Sequence, residues 1–128
     1  MKRLIFAALF LTATSHALAD WMEYGKTDGT TLYIDPLTIR KDGDLRKVWQ
    51  LLELEKATPE GELSRRSLFE YDCKNERHRI LDTTRHSGLK ASGKVLGAGG
   101  ESRDWQHIAP GTIIARFLKS VCDPRATP

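Results

Sequence analysis

With 128 residues, 40% of them hydrophobic and 29% charged, the chain can bury one modest core and is too short for a second domain. Lys and Arg total 20 against 17 Asp and Glu, which excludes the strongly basic balance of a general nucleic-acid binder. The two cysteines, Cys73 and Cys122, lack the Cys-x-x-Cys spacing of a redox or metal-binding pair.

Met1-Lys2-Arg3 is a positively charged start, Leu4 to Leu11 is an unbroken apolar run, and Ala17-Leu18-Ala19 is a small-x-small tripeptide ahead of Asp20. That order is the pattern of a secretory signal peptide cut between Ala19 and Asp20. The apolar run is about eight residues, whereas a membrane-crossing helix needs about 20. No later segment is long and apolar enough to span a membrane, and no Cys stands at the cleavage point to take a lipid. The expected organisation is therefore a signal peptide over 1–19 and one domain over 20–128, periplasmic or secreted and not a lipoprotein. Lys2 and Arg3 leave with the signal, so 18 basic residues face 17 acidic ones and the formal charge falls to +1. In an oxidising compartment two cysteines permit one intramolecular pair, Cys73–Cys122. Closing a loop of about 50 residues stabilises a fold by roughly 4 kcal/mol in the chain-entropy picture.

Thr30 to Asp35 is rich in β-branched and aromatic residues, follows the turn pair Asp28-Gly29 and is stopped by Pro36, which predicts a strand. Lys41-Asp42-Gly43-Asp44 is a turn cluster. Apolar positions 45, 48, 49 and 52 in the next segment suit a helix as well as a strand, but the turn before it and Thr58-Pro59-Glu60-Gly61 after it favour a long strand over 45–56, covered on both faces around Trp49 and Leu51. From Ser64 to Cys73 the alternation puts Phe69, Tyr71 and Cys73 on one face and Glu70 and Asp72 on a wet one. Two further strands are expected over 77–84 and 93–97, then a flexible loop over 97–102. Ile113, Ile114, Phe117, Leu118, Val121 and Cys122 form one helical stripe, with Pro110 in the first turn and Asp123-Pro124 as the stop. The fold class that follows is α+β: an antiparallel sheet of about five or six strands with one C-terminal helix packed on a face and a single disulfide.

Catalytic and metal chemistry find little support. His78, His86 and His107 lack the spacing of a zinc site; 78 and 86 share a face by strand parity but lie about 26 Å apart along one strand. Ser102, Asp104 and His107 fall in a polar loop without a Gly-x-Ser-x-Gly elbow, and the glycines at 93, 97, 99 and 100 lack the Gly-Lys-Ser/Thr of a phosphate loop. Asp35 and Asp72 read as strand-end carboxylates that bond turn backbones or pair with arginines rather than as a catalytic pair. Trp21, Trp49 and Trp105 read as core or rim packing. The expectation is a protein without enzymatic activity, metal or cofactor.

Charge distribution is more informative than its total. Asp20 to Leu63 carries six basic and ten acidic residues, Ser64 to Lys94 eight basic and four acidic. Solvated charges on a sheet would give this asymmetry; so would an electropositive face for a protein or anionic extracellular ligand. Arg65, Arg66, Arg77, Arg79 and Arg85 are the candidate contacts, because the guanidinium fork matches carboxylates and sulfates. Strand parity sends Arg65 and Arg66 to opposite faces.

The succession Tyr33-Ile34-Asp35, Val48-Trp49, Ser67, Glu70-Tyr71-Asp72-Cys73, Arg79, Trp105, Pro110 and Val121-Cys122 resembles the surface-adhesin protein E family across nearly the whole chain after the signal. The resemblance implies an antiparallel sheet with its C-terminal helix tied down by the disulfide. It further implies a non-enzymatic protein that binds host matrix or serum proteins at the bacterial surface and can form a homodimer. Surface-displayed members carry an N-terminal lipid, for which this chain has no Cys, so a periplasmic protein with a structural or housekeeping role is the alternative.

Overall fold

The structure, a computed structural model, describes residues 19–125. The expected signal segment lies outside the described residues except for Ala19, which is exposed like Asp20 after it. In chain order the elements are β1 (Met22–Thr27), β2 (Thr30–Ile34), a 3-10 turn (Pro36–Thr38), β3 (Arg40–Asp42), β4 (Leu45–Leu54), β5 (Ser64–Asp72), β6 (Arg77–His86), β7 (Val95–Ala98), β8 (Gln106–His107) and α1 (Ile113–Cys122). The strands form one antiparallel sheet in the order β1-β2-β4-β5-β6-β7. β2 and β3 lie end to end along one edge of β4, and β7 and β8 along the outer edge of β6. This is the expected α+β class, with six strands on the main path and two short ones beside it.

Local chemistry accounts for the joints. Asp35 caps the 3-10 turn by accepting from the Leu37 N–H, and Pro36 occupies a first-turn position where no N–H is needed. Arg40–Asp42 is strand rather than turn: it pairs with Leu45–Lys47, and the reversal is confined to Gly43-Asp44, where Gly43 at φ 56° takes the left-handed conformation. The long segment from Leu45 is a strand, with neighbours on both edges and with Val48, Gln50 and Leu51 buried. β1 was not anticipated from the sequence, because as an edge strand it turns only Tyr24 towards the core.

α1 begins later than expected. Pro110 precedes it, and the Thr112 hydroxyl caps it by accepting from the Ala115 N–H at 3.1 Å. Its stripe buries Phe117, Leu118 and Val121 against Ile34, Val48, Phe69, Tyr71 and Ile108. Phe117 meets Tyr24 and Tyr71 edge-on, with ring centroids 5.1 and 5.3 Å apart, the favoured aromatic geometry. The helix crosses β1 at Gly25, where an added Cβ would stand 2.8 Å from Ile113 Cδ1. Cys122 at the end of α1 bonds Cys73 just past β5, with Cα atoms 5.7 Å apart and a sequence separation of 49. The staple therefore holds the helix to the strand that supplies Tyr71.

A bulge decides what the two faces carry. β5 and β6 pair Phe69 with Ile80 but Leu68 with Asp82, so Leu81 is left over. The parity of β6 reverses there. His78 stacks on Phe69 and Tyr71 beneath the helix, whereas His86 lies opposite Ser64 on the other face. The sequence expectation that 78 and 86 share a face is thereby corrected: an extra residue turns an even spacing into opposite sides.

Candidate binding face

The same bulge sorts the five arginines. Arg65 and Arg85 are cross-strand partners on the helix side, beyond the end of α1, and Arg66, Arg77 and Arg79 lie on the open face. Arg65 binds Glu62 through Nε at 2.8 Å, and both Arg65 and Arg85 reach Glu101. Its hydrogen bond to Glu62 raises the Arg65 pKa further. The pair is thus spent on local carboxylates.

On the open face the β5–β6 hairpin sets Glu70 opposite Arg79 and Asp72 opposite Arg77. Arg79 holds Glu70 at 2.6 Å, Arg77 holds Asp72 at 2.9 Å, and Lys47 approaches Glu70 at 3.9 Å. The Trp105 ring lies against both guanidinium groups, 4.7 Å from Arg77 and 4.4 Å from Arg79. The expected wet side is thus dry at Glu70 and Asp72, which are 3% and 4% exposed, because the arginine stems and the indole cover them. Asp72 also accepts from the Asn75 side chain and from the Lys74 and Asn75 backbone N–H groups. The Asn75 side-chain bond, Arg77 and these N–H groups outweigh burial and hold its pKa at about 2. The sequence carries the signal for this ladder: Glu-x-Asp, a tight turn, then Arg-x-Arg.

Further along the face Arg66 lies over the Trp49 ring, 3.9 Å from its centroid. The loop after β6 folds back beside it. Ser64 Oγ donates to the Gly88 carbonyl and accepts from the Ala91 N–H, and the Lys90 N–H donates to Glu53. Lys90 Nζ stands over the Tyr33 ring and 3.6 Å from Glu53. Asp20, Trp21, Arg66, His86, Lys90 and Ala91 line a cavity of about 630 Å³ here. His86 is 8% exposed, and its Nε2 meets Thr84 Oγ1 at 2.8 Å. Burial, then the Arg66 charge, lowers its pKa, which favours the neutral ring. Lys90 and the cation-bearing role of the tryptophans are not legible in the sequence, because the contacts lie between residues distant along the chain. Trp49 and Trp105 are half-buried at the rim and carry arginines.

Asp35 and Asp72 bond turn backbones, as expected. No group of three or more His, Cys, Asp or Glu able to hold a metal occurs among the described residues. No helix among them is long and apolar enough to cross a membrane.

A family profile described as "Surface-adhesin protein E" matches residues 21–123. Among solved structures, crystal form II of Haemophilus influenzae protein E superposes with a TM-score of 0.64 at 17% identity, covering 80% of this chain and 86% of that one. A second structure of Haemophilus influenzae protein E gives 0.60 at 16% identity, covering 83% and 96%. Protein E from non-typeable Haemophilus influenzae gives 0.61 at 17% identity, covering 84% and 78%. At such identities the likeness is one of fold. No curated protein sequence matches the chain.

Proposed function

The chain belongs to the surface-adhesin protein E family, and from that premise we propose that it is an exported, non-enzymatic protein that binds a host extracellular protein through the sheet face opposite α1. It is cut between Ala19 and Asp20, so the mature chain runs over 20–128 and reaches the periplasm or the exterior without a lipid anchor. The positive start, apolar run and cleavage tripeptide support this routing, and the Cys73–Cys122 disulfide fits it.

One observation carries the choice of face. Its carboxylates lie underneath and its cations outermost: the Glu70 and Asp72 side chains are 5% and 6% exposed, against 33% and 40% for Arg79 and Arg77. A partner meeting this face touches guanidinium edges and indole rings, the chemistry enriched where proteins bind one another. Arg66, Arg77 and Arg79 are the contact arginines, and Arg65 and Arg85 flank the opposite side.

The test is solid-phase binding of mature chain to laminin and vitronectin. Arg66→Gln and Lys47→Gln together should weaken binding and its salt dependence, since neither change strands a buried carboxylate, while Arg65→Gln should leave binding intact. Absence of binding by folded wild type, together with confinement of the mature chain to the periplasm on cell fractionation, would overturn the reading in favour of a housekeeping role.

A further inference from the structure

The cavity beside Arg66 differs from the rest of the open face. Arg77 and Arg79 are each engaged by a buried carboxylate, whereas the Arg66 guanidinium has no ion-pair or hydrogen-bond partner among the described residues and only the Trp49 ring beneath it. Its N–H groups have no acceptor among the described residues. Lys90 lines the same cavity as a second cation, its Nζ shared with Glu53 at 3.6 Å and with the Tyr33 ring, and Trp21 forms an aromatic wall. Loop and strand are tied together by the Ser64, Gly88, Ala91 and Glu53 bonds, so Arg66 and Lys90 are held in the lining of one cavity. Asp20 is the one carboxylate of the lining. Cleavage after Ala19 would place a new α-ammonium on that same residue, which is mostly protonated near pH 7 and offsets it.

We infer that this cavity is a subsite for an anionic saccharide, whose sulfate or carboxylate accepts from Arg66 and Lys90 while a pyranose ring packs on Trp21. Its volume, about 630 Å³, lies in the range of small-molecule sites and suits one or two sugar rings. A planar guanidinium held flat on an indole keeps its fork pre-oriented for an oxyanion. The apolar wall favours a sugar over an acidic peptide, which needs cations but no ring-sized aromatic surface. This deepens the reading above, because it assigns Arg66 a ligand class at the edge of the same face.

The experiment is a calorimetric and amide-NMR titration of the mature chain with three probes: a heparin hexasaccharide, a hyaluronan hexasaccharide and a poly-glutamate peptide. Binding of the heparin probe should move the Trp21 indole N–H and the Lys90 and Ala91 amides and leave α1 unmoved. Binding of the hyaluronan probe as well would identify carboxylate as sufficient; heparin alone would identify sulfate. Arg66→Gln should weaken either by roughly ten- to a hundredfold, and Lys90→Gln should weaken it less. Mapping on unmodified chain stands even if a variant folds poorly. No saccharide shifts at these residues, unchanged affinity in folded Arg66→Gln, or equal binding of poly-glutamate would overturn the inference. Saccharide binding without laminin or vitronectin binding would uphold it and remove the protein-adhesion reading; the reverse would remove it alone.

Discussion

The two faces of one sheet solve the same burial problem in different ways. On the helix side α1 lays Phe117, Leu118 and Val121 over Val48, Phe69 and Tyr71, with neutral pairs beneath it and the buried Arg46 guanidinium beside Tyr71, donating to the Gly43 and Leu45 carbonyls. Gln50 donates to the Tyr71 hydroxyl at 2.6 Å, and Ser67 meets Thr83. Burial pushes the Tyr71 hydroxyl far up, so it stays protonated. On the open side no helix arrives, and the sheet is covered by its own side chains: arginine stems, indoles and the loop carrying Lys90. The apolar lid covers neutral polar pairs. A lid of cation stems instead stabilises carboxylates beneath it and leaves cationic groups facing outward.

The contrast can be broken most severely at the apolar lid. Phe117→Ala should destabilise by about 3–5 kcal/mol, because a fully packed ring is lost and the sheet beneath cannot collapse into the space; urea unfolding followed by tryptophan fluorescence measures it. Replacing Cys73 and Cys122 together by Ser should cost about 2–5 kcal/mol by freeing the helix end in the unfolded chain, and thiol labelling of native protein should find neither cysteine reactive.

The charged lid should respond differently. Arg79→Met strands Glu70, and because the ion pair is partly solvated the expected loss is about 1–3 kcal/mol. Adding Glu70→Gln should recover most of it, which a purely apolar contact would not do. Asp72 supplies a pH readout. Its pKa in the fold, about 2, lies below the unfolded value of about 4, so its contribution is fully present above pH 4. It is lost as pH falls through 2. Asp72→Asn should flatten acid unfolding in that window, whereas Phe117→Ala should lower stability at all pH values alike. The smallest effect on folding belongs to Arg66→Gln, within about 0.5 kcal/mol, since the half-buried guanidinium leaves no carboxylate stranded. Its effect on ligand should be the largest of the set.

The helix was legible in the sequence because its stripe repeats at 3.6 residues and recruits the core whatever its neighbours are. Its first residue was not, since a threonine hydroxyl and a proline compete to start it and only the chain path decides between them. The strand-end roles of Asp35 and Asp72 were legible for the same local reason: each bonds backbone two or three residues away. The burial of Glu70 is not legible in the sequence, because alternation tells which side a residue takes and not what covers that side.

The sequence by itself determined the strands flanked by turns, the apolar helical stripe, the single possible cysteine pair and the basic middle segment, all of which depend on near neighbours or on simple counting. Only the tertiary structure decided which basic residues act together. One leftover residue, Leu81, moves Arg85 and His86 to the sides opposite those that parity assigns. Trp21, Trp49, Lys90 and Trp105 reach the open face from distant parts of the chain. A sheet's period is two, so one unpaired residue inverts everything beyond it, and no local pattern records where that residue falls.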